Sequence, residues 1–208
     1  SRLNSIKNNL AAFYTTANTK SPIPLHLDIV LEQFAKDRSV MASTSLQTNL
    51  EMISQRMPGY KLDLSIHLMG EVEDLKKCFE ILKDFKFNNN HKYTIFVPEN
   101  YADLFKSIKS ISKNIGIWYD LDEWYKGNKA DFSEKDGIND YLIMTVKAGK
   151  SGQELTDEIK YTALEIVKSN SNSNFMLDGG WGVDFRECDY KNLGIVSYSS
   201  FWNTFKEN

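Results

Sequence analysis

The chain has 208 residues, 41% of them hydrophobic, and 25 Lys and Arg against 28 Asp and Glu give a formal net charge of -3. That length suits one large domain with a sizeable core, and the charge balance excludes the broad basic field that nucleic-acid binding requires. No apolar stretch approaches the roughly 18 residues of a membrane span. The first residues lack the form of a signal peptide, and Cys78 and Cys188 lie far apart outside any Cys-x-x-Cys motif. The expectation is a cytoplasmic protein with reduced, partly buried thiols.

Helical and strand patterns alternate along the chain. Ile6, Leu10, Phe13 and Tyr14 have helical spacing, and Ser21-Pro22-Ile23-Pro24 ends that segment. Leu25–Val30 reads as a strand, Leu46–Met57 as an amphipathic helix stopped by Pro58-Gly59, and Leu62–Met69 as the next strand. A helix over Val72–Phe85, a strand over Tyr93–Val97, a helix over Tyr101–Lys113 and a strand over Ile115–Tyr119 follow. Tyr125–Asn139 is polar and irregular, a helix remnant plus loop. Tyr141–Val146 is a strand, Leu155–Val167 a helix, and Phe175–Leu177 and Leu193–Ser197 are strands, with Ser199–Lys206 closing the chain as a helix.

Seven strands separated almost throughout by helices predict an α/β fold with a parallel sheet covered by helices. A single (β/α) TIM-type barrel domain over residues 1–208 fits best, because polar residues gather at the C-terminal strand ends, where such barrels place their chemistry. An open doubly wound sheet is the alternative. Its dinucleotide-binding version lacks the Gly-x-Gly-x-x-Gly expected after the first strand.

Three strands carry chemistry. Residues i and i+2 of a strand share a side. His26 and Asp28 therefore project together, away from Leu25, Leu27 and Ile29, and His67 shares its side with Ser65 and Met69. Asp178 ends another strand at Leu177-Asp178-Gly179-Gly180. Taken singly, each is more readily a core histidine or a hydrogen-bonded aspartate. Together, at strand ends of one sheet, two imidazoles and two carboxylates make a ligand set for a divalent cation: zinc, or iron, manganese or cobalt. His91, after three asparagines, reads as a surface residue.

Leu25-His26-Leu27-Asp28, Ile66-His67-Leu68-Met69, Ile143-Met144-Thr145-Val146 with Gly149-Lys150-Ser151-Gly152-Gln153, and Leu177-Asp178-Gly179-Gly180 resemble, in order and spacing, the ribulose-phosphate 3-epimerases. The resemblance runs from about residue 5 to about residue 205. It implies an isomerase of pentose phosphate metabolism built on a (β/α) barrel. A divalent metal, usually zinc, would be held by His26, Asp28, His67 and Asp178, with Asp28 and Asp178 as the acid/base pair. On the substrate side it implies His67, Met69, Met144, Gly149, Gly152, Gly179, Gly180 and Ser199, although Met144 reads equally well as a core methionine. The implied partner is a phosphorylated ketose, its phosphate near the loops after the last strands.

Several positions depart from that pattern. The family's leading strand has no evident counterpart, so the first barrel strand is expected to be missing or very short. The exposed edge this leaves invites homo-oligomerisation. Tyr198 stands for a glycine, Lys150 and Ser151 replace Phe and Gly in the phosphate loop, Ile29–Phe34 replaces a Met-Asp-Gly loop, and Val97 replaces a histidine. Three readings follow: a divergent ribulose-phosphate 3-epimerase, an epimerase of another ketose, or a metal-binding barrel without catalysis that binds a sugar phosphate or a protein.

Overall fold

A computed structural model describes residues 22–39, 42, 46–57, 59–108, 114–127, 129–132, 137–149, 153–181, 190 and 192–195. The expected helices at Ile6–Tyr14 and Ser199–Lys206, the expected lack of a leading strand, and the departures at Lys150, Ser151 and Tyr198 lie outside the described residues, as do Gly152, Ser199 and Cys188.

The strands are β1 (Ile23–Val30), β2 (Leu62–Met69), β3 (Lys92–Val97), β4 (Ile115–Asp120), β5 (Asp140–Met144), β6 (Asn174–Asp178) and β7 (Leu193–Ile195). The helices are α1 (Glu32–Arg38), α2 (Leu46–Arg56), α3 (Val72–Asp84), α4 (Ala102–Lys106, entered through a 3-10 turn at Glu99–Tyr101), α5 (Leu121–Tyr125) and α6 (Asp157–Ser169). The strands pair in chain order from β1 to β7, every pair parallel. This is the barrel order, not a doubly wound one, which would reverse direction in the middle of the sheet.

The sheet is strongly curled. Were it flat, five strand spacings of about 4.8 Å would separate β1 from β6 by about 24 Å. Instead His26 Nε2 on β1 lies 3.6 Å from Asp178 Oδ2 on β6. Ser65 on β2 reaches the Met176 sulfur on β6 at 3.4 Å, and the Trp118 indole on β4 donates to the Leu68 carbonyl on β2 at 3.0 Å. β1 to β6 thus wrap at least half of a barrel, and the short β7 extends it.

Strand alternation divides the core in two. Ile29, Ile66, Leu68, Ile95, Val97, Ile117, Ile143 and Leu177 face outward and pack with helix residues such as Leu50, Leu75, Leu82 and Val167. The inward cluster holds Val30, Met69, Phe96, Leu142 and Met144, with Trp118 and Met176 against it. Val97 therefore belongs to the helix-facing layer, and Phe96 at the end of β3 turns inward. Phe96 has room because its neighbour in register is Gly116.

Three elements differ from expectation, one of them the short helix α5, which lies ahead of the segment read as a helix remnant plus loop. A helix, α1, follows β1 directly where the sequence reads as loop. Its N-terminus is held from outside, the Gln33 amide donating to Asp74 of α3 at 3.1 Å, and its Phe34 and Ala35 join the inward cluster. The helix expected over Tyr101–Lys113 is described only as far as Lys106. There the Ser107 hydroxyl donates to the Leu104 carbonyl at 2.6 Å, and the Ile108 amide bonds Phe105 in a tight turn.

A Cβ on Gly116 would lie 2.6 Å from Phe96 Cδ1 and 2.9 Å from the Asp140 carbonyl. Gly116→Ala is therefore expected to cost about 1–3 kcal/mol through overpacking, more than alanine gains in chain entropy. Urea unfolding checks this, and an unchanged midpoint would contradict the packing.

Candidate metal centre

β1 and β2 run side by side with Asp28 in register with His67, and His26 with Ser65. The curl of the sheet carries the end of β6 round to meet them. His26 Nε2 lies 3.1 Å from Asp28 Oδ1 and 3.6 Å from Asp178 Oδ2, and His67 Nδ1 lies 3.2 Å from Asp28 Oδ1. One donor atom from each of His26, Asp28, His67 and Asp178 falls within 4.8 Å of the other three, and this group can hold a metal ion. The two nitrogens and two oxygens are an ordinary zinc donor set, in which tetrahedral bonds of about 2.0–2.2 Å place neighbouring donors about 3.3–3.5 Å apart. The 3.1–3.6 Å separations bracket that spacing.

The charges also fit a cation. Burial and the neighbouring Asp28 charge push the Asp178 carboxyl up to about 6, against a partial pull downward from His26. Burial acts to raise Asp28 too, but hydrogen bonds from both imidazoles outweigh it and hold Asp28 below the usual carboxylate range. Burial opposes charge on His26, yet Asp28 and Asp178 together raise its pKa. Burial prevails at His67, whose side chain is fully buried and whose pKa is lowered. A site that forces two carboxylates together while keeping one imidazole neutral gains most from a divalent ion.

The nitrogens turned away from the cluster, His26 Nδ1 and His67 Nε2, are buried without a hydrogen-bond partner among the described residues. The rings are held instead by Asp28 and by packing. Trp118 stands edge-on to His67 at 4.9 Å and to Phe34 at 6.1 Å, so an aromatic wall closes the inner side of the site. Sequence reading missed this wall. The alternation of Gly116, Trp118 and Asp120 along β4 was its available signal, whereas Phe34 depends on α1 and left none.

The other expected residues are placed as follows. Met69 and Met144 sit in the inward cluster, Met69 two residues beyond His67 and Met144 in register with Asp178. Gly149, Gly179 and Gly180 take φ values of 82°, 108° and 79°, which glycine alone adopts without strain. Asp120, also missed, ends β4 on the inward side, is buried, and caps α5 by accepting from the Asp122 amide at 3.1 Å. His91, expected at the surface, is partly buried at the opposite end of the sheet, where burial lowers its pKa, and it lines a polar cavity of about 540 Å³ with Asp63, Lys92 and Asn114. Cys78 is a buried free thiol, pushed up to about 12 by burial. No described helix is long and apolar enough to cross a membrane.

Comparison with models of known protein families finds no match, and comparison with curated protein sequences finds none either.

The Asp178 shift carries a stability consequence with a definite sign. Between roughly pH 4 and pH 6 the folded, metal-free protein holds the Asp178 proton while the unfolded chain has released it, so this contribution to stability declines as pH rises through that window. Asp178→Asn removes the buried charge. Its metal-free form is expected to melt roughly 2–8 °C above the parent at pH 7–8 and to converge with it below pH 4. A variant less stable than the parent at pH 8 would contradict the electrostatic picture. Metal retention by the parent should weaken below about pH 6, as Asp178 takes up its proton.

Proposed function

We propose that the protein epimerises carbon 3 of a phosphorylated ketose, with ribulose 5-phosphate and xylulose 5-phosphate as the substrate pair, on a completed (β/α) barrel. The observation that carries this reading is the meeting of Asp28 and Asp178, from strands at opposite ends of a six-strand run, around two imidazoles. The resemblance of the His-x-Asp, His-x-Met and Asp-Gly-Gly motifs to the ribulose-phosphate 3-epimerases supplies the substrate class.

Inversion at a carbon beside a ketone requires a proton to leave one face and another to arrive on the opposite face. Two carboxylates entering from different walls suit that geometry. One of Asp28 and Asp178 would take the proton from one face while the other returns a proton to the opposite face. The roles exchange in the reverse direction.

His26, Asp28, His67 and Asp178 would hold the divalent ion, zinc by donor preference. When bound it would supply positive charge to offset the negative charge that develops on the substrate oxygens, a contribution of several kcal/mol. The Trp118 and Phe34 wall excludes water from the inner side, which strengthens each of these interactions. Met69 and Met144 offer soft, polarisable surface to a planar intermediate. The positive-φ turns at Gly149, Gly179 and Gly180 present backbone near the mouth, where a phosphate would lie.

The test is solvent exchange. Protein loaded with zinc, manganese or iron is incubated with ribulose 5-phosphate in deuterium oxide. Deuterium at carbon 3 together with xylulose 5-phosphate is the expected result. Exchange confined to other ketoses would transfer the reading to a different sugar, and no exchange with any metal would leave a binding barrel. Asp28→Asn and Asp178→Asn should each lower turnover by at least about 10²–10⁴-fold, the usual worth of a positioned proton donor or acceptor. An active variant of either would remove it from the assigned role.

A further inference from the structure

A single buried hydroxyl ties the Asp-Gly-Gly turn to the neighbouring strand. Thr145, which follows β5, is 1% exposed, and its Oγ1 lies 2.9 Å from the Asp178 carbonyl and 2.7 Å from the Gly179 carbonyl. The Thr145 amide donates to the same Asp178 carbonyl at 2.8 Å. Trp181 is also 1% exposed, and it donates its indole N–H to Thr145 Oγ1 at 3.0 Å. The chain leaves β6, turns through Gly179 and Gly180, and returns to the oxygen it started from. Thr145 accepts from one end of the turn and shares its own hydrogen between two carbonyls at the other.

The circuit has little slack. A Cβ on Gly179 would run into the Val146 side chain, and one on Gly180 would lie 2.8 Å from the Leu155 amide nitrogen. Removing the hydroxyl takes one donor from the Gly179 carbonyl and one acceptor from the Trp181 indole N–H, and removing the indole N–H loosens the hold on the far end of the turn. The backbone of Asp178 sets the direction of its carboxylate, and that carboxylate must keep its 3.6 Å approach to His26.

We propose that Thr145 and Trp181 are positioning residues that fix Asp178, so that the hydrogen-bond circuit under the turn controls how tightly the four-residue cluster holds a divalent cation. Neither side chain donates to the ion. Both act through the backbone of Asp178. The inference rests on the metal-site part of the proposed function, and its test separates the two.

Thr145→Val keeps shape and removes the hydroxyl, Trp181→Phe removes the indole N–H together with one buried ring, and Thr145→Ser keeps the hydroxyl. Each full-length variant is titrated with cobalt(II) alone, following the visible ligand-field bands and competition with a chelating dye. In the metal-free proteins, hydrogen exchange of the Thr145 amide is measured by NMR. The expected result is about 10–100-fold weaker cobalt binding in the Val and Phe variants, the usual effect of groups that orient metal ligands. Their bands should be altered and Thr145 amide exchange faster, with Thr145→Ser close to the parent and the double variant no weaker than the worse single one. Val and Phe variants with parental affinity, bands and exchange would overturn the proposal, and so would a Ser variant as impaired as Val. Should Val fail to fold, Phe against Ser carries the same decision. A parent that binds no cobalt would count against the proposed function, and amide exchange alone would then judge the pair.

Discussion

Two carboxylates brought into one cluster, Asp178 buried and the Asp28 side chain half exposed, repel each other, and the site follows from how the fold compels that approach. Asp28 and Asp178 stand 150 positions apart in the chain and at the ends of strands that a flat sheet would separate widely. Only the curl of the parallel sheet joins them. The imidazoles of His26 and His67 settle one of the two charges, and burial suppresses the other. A divalent ion relieves both at once.

This cluster is costly to build and is supported from outside. Beneath it, Trp118, Phe96 and Phe34 make a dry aromatic floor, with Trp118 anchored to the Leu68 carbonyl. Beside it, Thr145 and Trp181 clasp the turn that carries Asp178. α1 packs on the inward cluster through the same Phe34 and is tethered by Asp74. These supports come from β3, β4, the ends of β5 and β6, α1 and α3, so the geometry of the site depends on most of the described chain. Burial favours hydrophobic side chains, and the inward layer breaks that rule mainly where the chemistry sits.

The strands were legible because their alternation is strong. His26 and Asp28 on β1, and Ser65, His67 and Met69 on β2, face the side that the period of two assigns to them. The β-α alternation also conveyed the parallel order of the sheet. Contacts that depend on tertiary packing were less visible. α1 has only Phe34 and Ala35 as buried apolar residues, too few for a helical period, and it is capped by a residue 41 positions away. The helix after β3 was over-read because Leu104, Phe105 and Ile108 keep helical spacing while Ser107 bonds back to the chain and tightens the turn. Val97, which stands where the family has a histidine, faces the helices, and Phe96 beside it faces inward. Trp181 left no pattern at all, because its role depends on a partner 36 residues earlier.

The central claim is that His26, Asp28, His67 and Asp178 form one coordination sphere, and X-ray absorption of the zinc-loaded protein at the zinc edge tests it most directly. The account predicts nitrogen and oxygen scatterers at about 2.0–2.2 Å with the outer-shell signature of two imidazoles, lost when His26 and His67 are replaced. A hydrated ion without imidazole scattering, or a sulfur shell at about 2.3 Å, would contradict it.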